Sequence, residues 1–132
     1  EALLDEMGLQ YEDFGTHDTA SCHYPIYGAR AAKAVASGRC EKGILICGTG
    51  IGMSLAANKT KGIRCVACSE PYSAKLSRAH NDANMLAIGA RVIGVEMAKM
   101  IVTAFLTTPF EGGRHQMRVD MLSAIERGEE IE

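Results

Sequence analysis

A cysteine at the end of a short apolar run is where this chain could do chemistry. In Gly43-Ile-Leu-Ile-Cys47-Gly-Thr-Gly-Ile-Gly-Met-Ser-Leu-Ala-Ala-Asn58 the run stops at Cys47, glycines follow at 48, 50 and 52, and a helix-forming segment begins. That order predicts a strand, a tight loop and a helix N-terminus. Loop N–H groups and the helix macrodipole favour negative charge there, and the same field favours a thiolate at Cys47. The residues thus specify a site for an anion, or for one that develops during a reaction. A dinucleotide fingerprint is one reading, since Glu70 lies 18 residues after Gly52, near where a ribose-binding acid belongs. Against it, Met53 stands where the fingerprint needs its last glycine, and a cysteine at the strand end is foreign to that pattern. An oxyanion cradle beside an acid/base cysteine is a second reading. A turn whose glycines only permit close packing is the third.

His80-Asn81-Asp82 supplies a second chemical group. An imidazole can give or take a proton near neutrality, and Asn81 offers both a donor and an acceptor. His80 is read at a strand-to-helix crossing, although a lone histidine is commonly structural or exposed. Arg114 and Arg118, four apart, share one helix face. They form either a solvated basic face balanced by Glu111 and Asp120 or, with Gly112-Gly113 ahead of them, a bidentate grip on a phosphate. His17, His23 and His115 read as surface positions. The five cysteines at 22, 40, 47, 65 and 68 are an odd count without a disulfide-framework spacing. Cys65 and Cys68 sit in an apolar run; in a strand, residues three apart point to opposite faces, so they predict buried packing rather than a shared metal or redox bond. A reducing cytosol suits all five.

These groups need elements to hold them. Residues 1–7 read as the end of a helix closed by Gly8, and 9–14 as a short strand stopped by Gly15. A polar loop at 16–23 leads into Tyr24-Pro25. Apolar residues at helical spacing, with terminal glycines, predict helices at 26–37, 51–59, 71–79, 95–106 and about 115–127. Strands are expected at 43–47, 63–68 and 91–93, with a short apolar run at 84–88 and a loop at 80–82. This alternation predicts a parallel sheet covered on both faces, with ligands bound beyond the carboxyl ends of its strands. The Cys47 loop is at one such end.

The 132 residues are 47% apolar and 23% charged, with a formal charge of -2, which fits one soluble domain and argues against a nucleic-acid or polybasic membrane role. No apolar run approaches the ~20 residues that span a bilayer, and no signal peptide is visible. A cytoplasmic location is expected.

Four segments in order then resemble the type B ribose-5-phosphate isomerases, a family that includes galactose-6-phosphate isomerase subunits. They are the Cys47 segment, Ser69-Glu-Pro-Tyr-Ser-Ala-Lys-Leu-Ser-Arg-Ala-His-Asn-Asp-Ala-Asn84, Ala90-Arg91-Val-Ile-Gly94 and Phe110-Glu-Gly-Gly-Arg-His115. The resemblance implies a Rossmann-like three-layer α/β sandwich with a mainly parallel sheet, forming one isomerase domain over 1–132. It also implies no metal, nucleotide or other cofactor, and homodimers or homotetramers with active sites shared at the interface, the C-terminal helix packing on a partner subunit. The expected activity interconverts ribose 5-phosphate and ribulose 5-phosphate through an enediolate. Isomerisation of a four- or six-carbon sugar phosphate, non-catalytic phosphosugar binding and nicotinamide-dependent oxidoreduction are the alternatives.

Position by position, the resemblance makes Cys47 the base that moves a proton between C1 and C2. Thr49 becomes the hydroxyl that helps protons pass between the enediolate oxygens, and the N–H groups of Gly48, Thr49, Gly50, Ile51 and Gly52 become the enediolate cradle. His80 opens the furanose ring, Asn81 holds sugar hydroxyls, Tyr24 lines the site, and Arg91, Arg114 and Arg118 bind phosphate. Two departures stand out. The family opens with a strand and an Asp-His pair that this chain lacks; a sheet without an inner strand would leave long unpaired edges, so these are expected ahead of Glu1. His23 stands where many relatives have aspartate.

Overall fold

The computed structural model describes residues 2–15 and 23–132; His17, Cys22 and most of the polar loop at 16–23 lie outside the described residues. In chain order the elements are α1 (Ala2–Glu6), α2 (Tyr24–Ala36), β1 (Gly43–Cys47), α3 (Ile51–Asn58), β2 (Cys65–Ala67), α4 (Pro71–Asn81), β3 (Met85–Gly89), α5 (Val95–Thr107) and α6 (Arg114–Glu126). The strands form a parallel sheet in the order β1-β3-β2, with Gly43 opposite Met85 and Cys47 opposite Gly89.

β3 explains why the apolar run at 85–88 is uninterrupted. Its five residues are all buried, as a central parallel strand covered on both faces requires. Side chains alternate along it: Met85 and Ala87 join Ala32, Val35, Leu45, Ala57 and Cys65 in one core cluster. Leu86 and Ile88 join Cys68, Ala74, Ile101 and Phe105 in the other. Helices α2 and α3 cover the first face, and α4 and α5 the second, giving the expected three-layer α/β sandwich. Cys65 and Cys68 fall in different clusters, as strand geometry demands. Burial pushes their thiols up to about 12 and about 11.

Three expectations are corrected. The strand expected at 91–93 is a turn, because the Gly89 carbonyl accepts the N–H groups of both Val92 and Ile93, at 3.0 and 3.1 Å. The loop expected at 80–82 is the last turn of α4, ended by Asp82 at φ 47°. Asp82 is tied to Arg78 at 2.9 Å and Arg64 at 3.5 Å, and Arg78 also donates to the Ala83 carbonyl at 2.6 Å, which closes the helix onto β3. Finally, 9–14 is not a strand: no described strand lies beside it, and an Arg39–Glu12 ion pair at 2.7 Å holds it instead. β1 is accordingly an edge strand among the described residues, with Ile46 58% exposed.

Candidate active site

Cys47 is the last residue of β1, and two hydrogen bonds strap the loop after it to the end of β3. Ala90 N–H donates to the Cys47 carbonyl at 2.8 Å, and Arg91 N–H to the Gly48 carbonyl at 3.0 Å. Gly50 caps α3 at φ +82°, in the left-handed region, and is buried where a Cβ would lie 3.0 Å from the Ile88 carbonyl carbon. This tight path turns the Gly50 N–H onto the Cys47 sulfur, with N···Sγ 3.1 Å. The half-buried Sγ therefore sits at the positive end of α3 as a hydrogen-bond acceptor. Thr49 Oγ1 accepts the Ile51 N–H at 3.3 Å in an exposed position.

Two further candidates reach this loop. A Cβ on Gly52 would lie 2.7 Å from the Tyr24 ring, so Tyr24 rests directly on the first turn of α3. A Cβ on Gly48 would meet Arg91 Cδ at 3.5 Å, which puts the exposed Arg91 stem over the loop. Glu70, the residue a dinucleotide would need, instead caps α4 by accepting the Ser73 N–H at 3.0 Å.

The second group lies elsewhere. His80 is in the last turn of α4, half-exposed, and its ring stacks on that of His115 in the first turn of α6, with centroids 4.2 Å apart and planes 9° from parallel. His115 is only 7% exposed. Glu111 Oε1 lies 3.6 Å from His115 Nε2 and 3.9 Å from His80 Nε2, and the Glu111 N–H donates to the Ala79 carbonyl at 3.0 Å. Burial above all, then the neighbouring His80 charge, holds His115 below the usual imidazole range. Among the described residues these three form one group with metal-ligand chemistry. Imidazole lone pairs lie in the ring planes, however, and two parallel stacked planes do not converge on one ion. Arg114 and Arg118 are exposed on α6, and neither forms an ion pair among the described residues. Asp120 accepts from Gln116 at 2.8 Å rather than balancing them. Asn81 has its carbonyl on Arg64 Nε at 3.2 Å and is exposed.

One chain does not bring the two groups together. Cys47, Thr49, Tyr24 and Arg91 lie at the carboxyl end of the sheet. Asn81 is bonded to Arg64, just ahead of β2, so it and His80 lie at the amino end. Between the ends run four residue steps of β1 and β3, on the order of 13 Å. His80 thus stands at a helix-to-strand crossing, the reverse of the sequence reading. His115 is also corrected, from a surface position to a buried ring on His80. Its four-residue spacing from Glu111 is visible in the sequence, but its partner 35 positions earlier leaves no local signal.

A family model described as Ribose/Galactose Isomerase matches residues 1–122. The ribose-5-phosphate isomerase B of Escherichia coli strain K12 is 57% identical over 126 residues, covering 96% of this chain and 85% of its own length. The D-erythrulose-4-phosphate isomerase of Pectobacterium atrosepticum is 42% identical over 127 residues, covering 96% and 84%. Among solved structures, the ribose-5-phosphate isomerase B of Clostridium thermocellum matches with a TM-score of 0.94 at 49% identity, over 96% of this chain and 86% of that one.

Proposed function

This chain belongs to the ribose/galactose isomerase family, and from that premise we propose how it acts as an enzyme on a phosphorylated sugar. It is a sugar-phosphate aldose–ketose isomerase that interconverts ribose 5-phosphate and ribulose 5-phosphate. In the proposed mechanism the Cys47 sulfur takes the proton from C2 of the open-chain aldose. The electron pair left on C2 forms the enediolate, whose charge falls among the N–H groups of 48–52, where it appears only as reaction proceeds. Thr49 passes a proton between O1 and O2, and Cys47 returns its proton to C1, so atoms and charge balance. His80 opens the furanose ring beforehand, Asn81 and Tyr24 hold the sugar, and Arg91, Arg114 and Arg118 hold the phosphate. The observation that carries this reading is the Cys47 sulfur accepting the Gly50 N–H at the start of α3, a proton acceptor built into an anion cradle.

We further propose a homodimer or homotetramer, acting in the cytoplasm, in which the Cys47 end of one subunit meets the His80 end of another. Residues 1–132 then work as one isomerase domain. Two features support this: the opposite placement of the two groups, and the apolar surface of α6, where Met117, Met121, Leu122 and Ile125 are 69%, 37%, 47% and 52% exposed. A shared site has a direct test. Neither Cys47→Ala nor His80→Asn alone should turn over ribose 5-phosphate well. Random mixing makes half the dimers heterodimers with one intact site of two, so about one quarter of wild-type turnover should return. No recovery after mixing would refute sharing. Assays on pentose, tetrose and hexose phosphates test the substrate, with ribose 5-phosphate expected to give the highest kcat/KM; a higher value for a tetrose phosphate would move the assignment.

A further inference from the structure

Proton transfer at Cys47 and phosphate binding leave one feature unused: the buried imidazole of His115 lying flat against His80. A histidine on the last turn of a helix has a broad choice of ring orientations about its outer torsion. His80 does not, because the His115 ring covers one of its faces at 4.2 Å and 9°. His115 in turn is held by burial of its ring and by Glu111 beside its Nε2, while its backbone N–H donates to the Gly112 carbonyl at 3.0 Å.

We infer that His115 is a positioning residue for His80, its wedged ring fixing the plane of the His80 imidazole and so the line along which His80 moves a proton during opening of the furanose ring. The inference rests on the proposed ring-opening role of His80. In that step the C1–O4 bond breaks, O4 gains a proton, and O1 loses one as the C1 carbonyl forms. A proton donor acts only within hydrogen-bond reach and aligned with O4, so a freely turning ring would lose much of its effect. The charged and titratable groups facing the pair are Glu111 before α6, and Arg114 and Arg118 on α6 itself.

Two rates separate this role from a structural one. Ribose 5-phosphate is cyclic and must be opened. Ribulose 5-phosphate cannot close a furanose ring, because its C5 oxygen carries the phosphate, so solvent deuterium entry at its C1 reports proton transfer alone. In His115→Ala we expect ribose 5-phosphate turnover to fall about 10- to 100-fold while deuterium entry stays near wild type. His115→Phe keeps a flat ring against His80 and should recover most of the turnover. Thermal melts of both variants check folding. Equal falls in both rates for His115→Ala, or a well-folded His115→Phe as slow as the alanine variant, would overturn the inference. His80→Asn is the separate check: if it shows the selective loss and His115→Ala does not, the inference alone fails. If His80→Asn depresses both rates equally, the ring-opening reading of His80 fails, and the inference with it.

Discussion

Replacing Gly89 with alanine should stop most turnover without altering any side chain proposed to meet substrate. A Cβ there would lie 2.6 Å from the Thr49 carbonyl carbon and 2.7 Å from its Cα and O. All three are backbone atoms, so no rotamer change relieves the clash. Ordinary contact begins at 3.4 Å, so the Thr49 backbone must retreat by about 0.8 Å. Cys47 and Gly48 are strapped to β3 at 2.8 and 3.0 Å, which leaves Thr49 and Gly50 to move. That movement drags the Gly50 N–H off the Cys47 sulfur and deforms the cradle. Misplacement on the order of 1 Å costs about 100-fold in rate, so kcat should fall by about that factor. KM should change less than kcat: of the three proposed phosphate ligands, Arg114 and Arg118 are at the other end of the sheet and Arg91 alone lies over the displaced loop. Overpacking a core costs about 1–3 kcal/mol. For a chain of this size that lowers Tm by about 4 to 11 °C, read by scanning calorimetry beside a coupled isomerase assay. Gly94→Ala, whose Cβ meets nothing within 4 Å, should keep wild-type turnover. A Gly89→Ala enzyme with unchanged kcat and an unshifted melt would refute the reasoning.

Arg114→Ala and Arg118→Ala should each raise KM for ribose 5-phosphate with kcat nearly intact, since a phosphate remote from the reacting carbons is held alike in ground and transition states. Losing a charge-assisted hydrogen bond worth about 1.5–3 kcal/mol corresponds to roughly 10- to 100-fold, and a fall in kcat with unchanged KM would contradict the assignment. The buried thiols give a pH dependence. Cys65 and Cys68 are raised to about 12 and about 11 in the fold, against about 8.5 in the unfolded chain. Above about pH 8.5 the unfolded chain gives up thiol protons that the folded chain keeps, so this contribution is whole below that pH and drains away toward about pH 12. Urea midpoints across this range should fall with pH and flatten in Cys65→Val/Cys68→Val; identical profiles would rule the thiols out.

Much of the site was legible because its chemistry is local. The strand, glycine loop and helix from Gly43 to Asn58 are one continuous signal, and the hydrogen bond from Gly50 to Cys47 spans three residues. The Arg114/Arg118 face likewise follows from helical spacing. Illegible parts depend on distant partners. β3 was hidden because a strand buried on both faces has no alternation, while Arg91-Val-Ile93 imitates a strand until the Gly89 carbonyl claims its amides. Residues 9–14 carry strand-forming side chains, yet pairing needs a neighbour that no described residue supplies. His115 reads as a surface position because the stacked ring that decides its burial is 35 positions away.

The central proposal, that Cys47 is the base that moves the proton, is tested most directly by turnover of ribose 5-phosphate in Cys47→Ala. General base catalysis contributes about 10²- to 10⁴-fold, so kcat should fall by at least about 100-fold in an enzyme whose melt is unchanged. A Cys47→Ala enzyme with near-normal kcat would contradict it.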